Sequence, residues 1–250
     1  MVSFIIQARS GSTRLPNKIL LPFYKDKCIL DLMIEKLSSI TNTNVLVATT
    51  LNSRDDRIVH VAEKHNVKCF RGEESDVLER FISAAEQNNI NKIIRVCSDN
   101  PFLDVESIQE LLETIQKNPS AEYISFDING TPSIKTHYGF WTEYVTLDAL
   151  RKVRDLTREP VYHEHVTNYI YSHPDKFDIV WIRSSASKLI EGIPVRLTID
   201  TEVDFANAQK IYSDFEQMGI KHTIQGIVNY LSNQPSIISK MKVEIEKNSK

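Results

Sequence analysis

The sequence predicts an α/β protein built on a mostly parallel, twisted sheet. Through the first half, short apolar runs alternate with stretches of helical spacing, and a helix-length segment separates each run from the next, as βαβ units require. The length, 250 residues, is enough to bury one sizeable core, and Gly and Pro are too sparse for a flexible linker.

Val2 to Gln7 reads as a buried strand, and the segment around Ile29, Met33, Leu37 and Ile40 has helical spacing. Asn44 to Thr49 is a second strand. Ser53-x-x-Asp56 resembles a capping box that opens a helix through Ile58, Val59 and Ala62. Val67 to Phe70 makes a short strand. Asp76 to Glu86 places Val77, Leu78, Phe81, Ile82 and Ala85 on one helical face. Residues 92–99 form a fourth strand, and Asp104 initiates a helix through Ile108, Leu111 and Ile115.

The second half alternates less regularly. Residues 123–127, 139–146 and 194–200 look like strands, and Ala149 to Val153 and Val161 to Tyr171 look like helices. Thr201 and Asp204 form a capping signal before a helix toward Met218. The expected organisation is one domain over residues 1–235, with an inserted segment at about 130–190 serving the acceptor or dimerisation. Residues 236–250 would be a helical tail, solvated from Lys240 to Lys250.

Hydrophobic residues at 41%, charged residues at 25% and a net charge of -3 are ordinary for a globular protein and argue against a nucleic-acid binder. Cys28, Cys69 and Cys97 lack paired spacing, so no disulfide framework or zinc module is implied; Cys97 reads as a small core residue. No apolar run reaches membrane-spanning length and no signal-peptide core is visible, so the expectation is a cytoplasmic protein without membrane insertion.

One stretch stands out against this background. Directly after the first apolar run, residues 8–18 read ARSGSTRLPNK, threading Arg9, Arg14 and Lys18 through Gly11, Ser12 and Thr13. In an open α/β sheet, ligands bind beyond the carboxyl ends of the strands, so this loop lies at the expected site. Its glycine, hydroxyls and cations suit a polyphosphate, but it matches neither a Walker A loop nor a dinucleotide fingerprint. Composition alone leaves a solvated surface loop equally open.

The stretch QARSGSTRLPNKIL resembles the N-terminal signature of the sugar-acid cytidylyltransferases, above all the SpsF-like enzymes of spore-coat polysaccharide synthesis, with the CMP-sialate and CMP-ketodeoxyoctonate synthetases as more distant relatives. Residues 45–59, 70–81, 95–104, 163–171 and 196–205 resemble further blocks of that family in the right order. The resemblance implies a Rossmann-like, three-layer nucleotide-diphospho-sugar transferase (GT-A-like) fold. It also implies CMP transfer from CTP to an acidic sugar or related hydroxy acid, with Mg²⁺ as cofactor, and commonly a homodimer.

Carried over residue by residue, the triphosphate would lie on Ala8, Arg9, Gly11, Ser12, Thr13, Arg14 and Lys18, with Ser98 beside it. Arg71, Gly72, Ser75 and Asp76 fall in the block resembling the nucleotide-recognition segment, where Arg71 reads equally as a surface residue. Asp99 and Asp200 each close an apolar run, and two carboxylates from separate strands could hold Mg²⁺. The alternative is that Asp99 caps a turn and Asp200 precedes a helix; Asp104 and Asp204 fit as caps. The catalytic set is then Arg9, Arg14, Lys18 and Asp99. The acceptor would meet Gly139, Glu143, Glu164 and His165. His163 and His165 stand two apart and cannot share a helix face, which disfavours zinc.

The sequence departs from the family pattern at Ser98, usually glycine, at Asn100, and around Gly139, where Tyr138 and Trp141 replace acidic residues. Two other readings remain: a nucleotide-sugar glycosyltransferase, which would usually carry an Asp-x-Asp motif that SDNPF lacks, and a protein that binds CTP without turnover.

Overall fold

A computed structural model describes residues 1–248. Its elements begin with β1 (Val2–Gln7), a hairpin of β2 (Pro22–Tyr24) and β3 (Lys27–Cys28), α1 (Ile29–Ser38), β4 (Thr43–Thr50), α2 (Asp56–Lys64) and β5 (Lys68–Gly72). Then follow α3 (Val77–Gln87), β6 (Lys92–Cys97), α4 (Val105–Lys117), β7 (Tyr123–Ile128), β8 (Thr131–Pro132), β9 (Glu143–Thr146) and α5 (Leu147–Leu156). The chain closes with α6 (Pro160–Glu164), α7 (Asn168–Ser172), β10 (Ile179–Ile182), α8 (Ala186–Leu189), α9 (Glu202–Met218), α10 (Ile224–Leu231) and α11 (Pro235–Lys247).

The main sheet runs β10-β7-β9-β6-β1-β4-β5, with β8 paired to β7. β1 lies parallel to β4 and β6, and β9 alone along this path is reversed, antiparallel to both β6 and β7. β1 carries the continuous apolar run Phe4-Ile5-Ile6 because both of its faces are covered. Phe4 and Ile6 pack with Leu37, Val47 and Ile211 on one side, while Ile5 packs with Leu78, Phe81 and Leu150 on the other. Helices thus cover both faces of the sheet in three layers, as predicted.

Topology opens the cleft. From β1 the chain winds outward through β4 to β5, then crosses back and places β6 on the opposite side of β1. The loops leaving β1 and β6 therefore diverge, and the crevice between them is the switch point where open α/β sheets bind ligands.

Several expectations are corrected. Ser53 and Asp56 form no capping box; the Asn52 side chain caps a short 3₁₀ turn instead, accepting from Arg54 N at 3.1 Å. Residues 194–200 alternate like a strand but join no ladder: Leu197 N and Thr198 N donate to the carbonyl of His137, and Ile199 N to that of Asp99. Residues 161–171 divide into α6 and α7, because the chain breaks at His165 and turns the Thr167 hydroxyl onto Glu143 at 2.8 Å. The segment at 130–190 supplies β9 and β10 to the main sheet. The C-terminal stretch is not simply solvated, since Ile237, Met241 and Glu244 of α11 are buried; Ser249 and Lys250 lie outside the described residues. Two expected caps are present. Asp104 accepts from Ser107 N at 2.8 Å, and Thr201 and Asp204 complete a reciprocal capping box on α9.

Candidate active site

The loop after β1 is held by the far side of the sheet. Ser10 accepts Ser12 N and Asn17 N on its carbonyl, at 2.9 and 3.0 Å, folding the loop back on itself. Its own N–H donates to Asp55 at 2.8 Å, and its hydroxyl donates to the same carboxylate, whose other oxygen accepts the Thr50 hydroxyl. Asp55 is 0% exposed. Burial alone would raise its pKa, but these bonds and the neighbouring Arg54 charge hold it below the ordinary carboxylate value. At Gly11 an added Cβ would lie 2.6 Å from Arg54 Nη2 and 3.3 Å from Glu74 Oε1, so glycine lets the Arg54–Glu74 ion pair rest against the loop.

Across the crevice, Asp99 follows β6 and Asp200 ends the extended segment, the two tied by the 3.0 Å bond from Ile199 N to Asp99 O. Between them stands Lys18. Its Nζ lies 3.5 Å from Asp99 Oδ2 and 3.5 Å from Asp200 Oδ1, and it also donates to the carbonyl of Ile199. Arg14 Nη2 meets Asp200 Oδ1 at 2.9 Å, and buried Arg196 meets Asp200 Oδ2 at 3.1 Å while holding Asp204 at 2.8 Å. Lys36 donates to the carbonyls of Pro101 and Leu103, at 3.1 and 3.0 Å, and so pins the loop that carries Asp99. Burial pushes the Lys36 pKa down to about 8.

Arg9, Gly11, Ser12, Thr13, Arg14, Lys18, Ser98, Asp99, Glu164, His165 and Asp200 line one cleft of about 460 Å³. The structure thus gathers residues from four separate stretches of sequence. Arg9 faces Glu164 at 3.7 Å. Cys97 also lines this cleft and is only partly buried, so it is a wall residue and not the core residue expected. Ala8 is buried behind the loop, its N–H donating to Ala48 O at 3.1 Å.

Gly139 lies in a smaller adjoining cavity of about 50 Å³, which shares Cys97 and Asp99 with the cleft. It has φ +72, and a Cβ there would meet the Leu197 carbonyl carbon at 3.0 Å, so only glycine fits. Asn100 and Trp141 line the same cavity, with the Asn100 amide oxygen and the Trp141 indole N–H buried and unpartnered.

Other expected residues are not brought to the cleft wall. The Arg71 guanidinium is spent on Thr50 O, Asn52 O and Asp56, at 2.9, 2.9 and 2.7 Å. Ser75 bonds Glu73, and Asp76 caps α3 and meets His163 Nδ1 at 2.7 Å. Glu143 is fully buried, accepting from the hydroxyls of Tyr123 and Thr167 with Arg95 Nε 3.5 Å away, so it is a core acceptor and not a surface contact. Sequence reasoning missed Asp55, Lys36 and Arg196, which act through backbone and partner carboxylates. It also missed Gln7, which lines the cleft with its amide oxygen buried and unpartnered.

Residues 3–237 match the profile of the cytidylyltransferase family. The chain is 36% identical over 234 residues to an uncharacterized protein of Methanocaldococcus jannaschii, covering 93% of this chain and 91% of that one. It is 31% identical over 217 residues to the spore coat polysaccharide biosynthesis protein SpsF of Bacillus subtilis, covering 84% and 86%. A cytidylyltransferase structure from Leptospira borgpetersenii superposes with a TM-score of 0.81 at 30% identity, covering 95% of this chain and 96% of that one. CMP:2-keto-3-deoxy-manno-octonic acid synthetase complexed with CTP shares the fold, with a TM-score of 0.65 at 13% identity over 86% of this chain and 99% of that one. The chain belongs to the cytidylyltransferase family and is a CTP-dependent nucleotidyltransferase.

Proposed function

We propose that this enzyme transfers CMP from CTP to a hydroxyl of an acidic sugar or related hydroxy acid, releasing pyrophosphate, and that the product feeds a surface polysaccharide or glycoconjugate. The carrying observation is the crevice between β1 and β6, where Lys18 is flanked by Asp99 and Asp200 with Arg9 and Arg14 alongside. Attack on the α-phosphorus expels an anionic leaving group, and cations fixed beforehand in the loop stabilise that charge as it develops. The similarity to SpsF supports the polysaccharide role.

Mg²⁺ is the cofactor in this reading. Among the described residues no three His, Cys, Asp or Glu side chains group as a metal site. Two carboxylates nevertheless suit an ion that completes its shell with water and phosphate oxygens. Asp99 and Asp200 would hold it, and bound there it would neutralise charge on the phosphate oxygens. Lys18 lies between the same two carboxylates, 3.5 Å from each. The acceptor enters past Glu164 and His165 toward the cavity of Gly139 and Trp141. That cavity offers the acceptor's hydroxyl groups a donor, the Trp141 indole N–H, and an acceptor, the Asn100 amide oxygen, both unpartnered.

We further assign a cytoplasmic homodimer, which size-exclusion chromatography with light scattering tests; among the described residues no helix is long and apolar enough to cross a membrane. The experiment for the activity is pyrophosphate release from each of the four NTPs with Mg²⁺, against nonulosonic acids, ketodeoxyoctonate and simpler hydroxy acids. Release that needs CTP and one acidic acceptor supports the assignment. CTP binding without release from any acceptor would favour a non-catalytic binding protein.

A further inference from the structure

Helix α11 ends against the nucleotide loop. Glu244, on its last turn, is only 6% exposed, and its carboxylate accepts the Thr201 hydroxyl at 3.0 Å. Asn248, the residue after the helix, accepts Arg14 Nη1 on its amide oxygen at 2.8 Å. The Asn248 amide nitrogen turns back to Glu244, 3.0 Å from its carbonyl and 3.4 Å from its carboxylate. Arg14 in turn meets Asp200 at 2.9 Å, and Thr201 is the next residue along from Asp200. The end of one helix therefore holds both neighbours of a cleft carboxylate.

The placement of Glu244 is not explained by helix docking. An acidic side chain in the last turn opposes the helix dipole, and burying a carboxylate costs desolvation. Ile237 and Met241 already anchor the same face in the apolar core. What Glu244 and Asn248 share is their convergence on Arg14 and the Asp200–Thr201 corner. Arg14 is half exposed, and without Asn248 its long side chain is held by Asp200 alone.

We propose that Glu244 and Asn248 are positioning residues of the nucleotide site, presenting Arg14 to the triphosphate already oriented. The inference rests on the assignment of the cleft to CTP. Both residues lie beyond the family match, which ends at residue 237. Losing the preorganisation of one long side chain weakens binding by roughly three- to tenfold.

The test is calorimetric titration of CTP with Mg²⁺ onto the full chain, with ligand-free melting and steady-state kinetics on the same variants. Asn248→Ala and Glu244→Ala should raise the CTP Kd and KM by roughly three- to tenfold with kcat little changed. Glu244→Gln, whose amide oxygen can still accept from Thr201, should restore most of the affinity. Met241→Ala should lower the melting temperature without moving the CTP Kd, separating helix docking from positioning. Wild-type CTP affinity in both alanine variants, while Arg14→Ala weakens it, overturns the inference and leaves the cleft assignment standing. An unchanged Kd in Arg14→Ala overturns the assignment of Arg14 to the triphosphate, and the inference with it.

Discussion

Asp55 reaches across 45 positions of sequence to Ser10 and accepts from both its N–H, at 2.8 Å, and its hydroxyl. The loop that carries the cleft cations is thus fixed by a buried carboxylate outside the cleft. Asp55→Ala leaves those two Ser10 donors and the Thr50 hydroxyl without their acceptor. It should cost about 3 kcal/mol of stability, visible in urea unfolding, and weaken CTP binding together with it. Asp55→Asn keeps an acceptor for only part of this set and should fall between the two.

Gly139→Ala should be more disruptive than Gly11→Ala. At Gly139 the backbone is left-handed and the new methyl meets main-chain atoms of Leu197 and Thr198, which cannot yield without moving the segment that ends in Asp200. A loss of about 1–3 kcal/mol is expected, with reduced turnover. At Gly11 the methyl meets only the flexible ends of Arg54 and Glu74, so thermal stability should hold. Melting curves of the two variants check the contrast.

Asp31 sets an acid limb of stability. Burial alone would raise its carboxyl, but bonds from Cys28 N at 2.9 Å, His65 Nε2 at 2.8 Å and Lys64 at 3.0 Å hold it at about 2. Its folded value lies below the unfolded value near 4, so its contribution is full above about pH 4 and is lost as the pH falls toward 2. Asp31→Asn should be less stable at neutral pH and should show a shallower loss between pH 4 and 2 in chemical denaturation.

Trp141→Phe keeps the ring in its cavity and removes only the unpartnered indole N–H. With an acceptor that turns over, its KM should rise several-fold, on the scale of one lost hydrogen bond, while the KM for CTP stays fixed. An unchanged acceptor KM would remove Trp141 from the acceptor site.

The parallel half of the fold was legible because strands covered on both faces leave continuous apolar runs, as in Phe4-Ile5-Ile6, and amphipathic helices separate them. The loop cations and Asp99 were legible because they follow the strands β1 and β6, and Asp200 because it closes an alternating run that reads like a strand. The rest failed where long-range partners decide. Residues 194–200 alternate like a strand, yet their N–H groups go to the loop carbonyls of His137 and Asp99. Glu143 reads as a site residue, but it lies inward on β9 against Tyr123 and Thr167. Arg71 reads as a ligand contact, but the turn after β4 consumes its donors. Asp55 and Glu244 gave no signal of their role, since the groups they hold at the cleft, Ser10 and Thr201, lie 45 and 43 positions away.

The central claim is that Lys18, Asp99 and Asp200 frame one site for a cation and the CTP triphosphate. Crystals of the enzyme with CTP and Mn²⁺, measured for anomalous scattering, test it most directly. The account predicts a metal peak roughly 2.0–2.2 Å from carboxylate oxygens of Asp99 and Asp200. The phosphates should lie on Arg9, Arg14 and Lys18, and Lys18 should be displaced from between the two carboxylates. CTP bound elsewhere, or a metal peak touching neither aspartate, would contradict it.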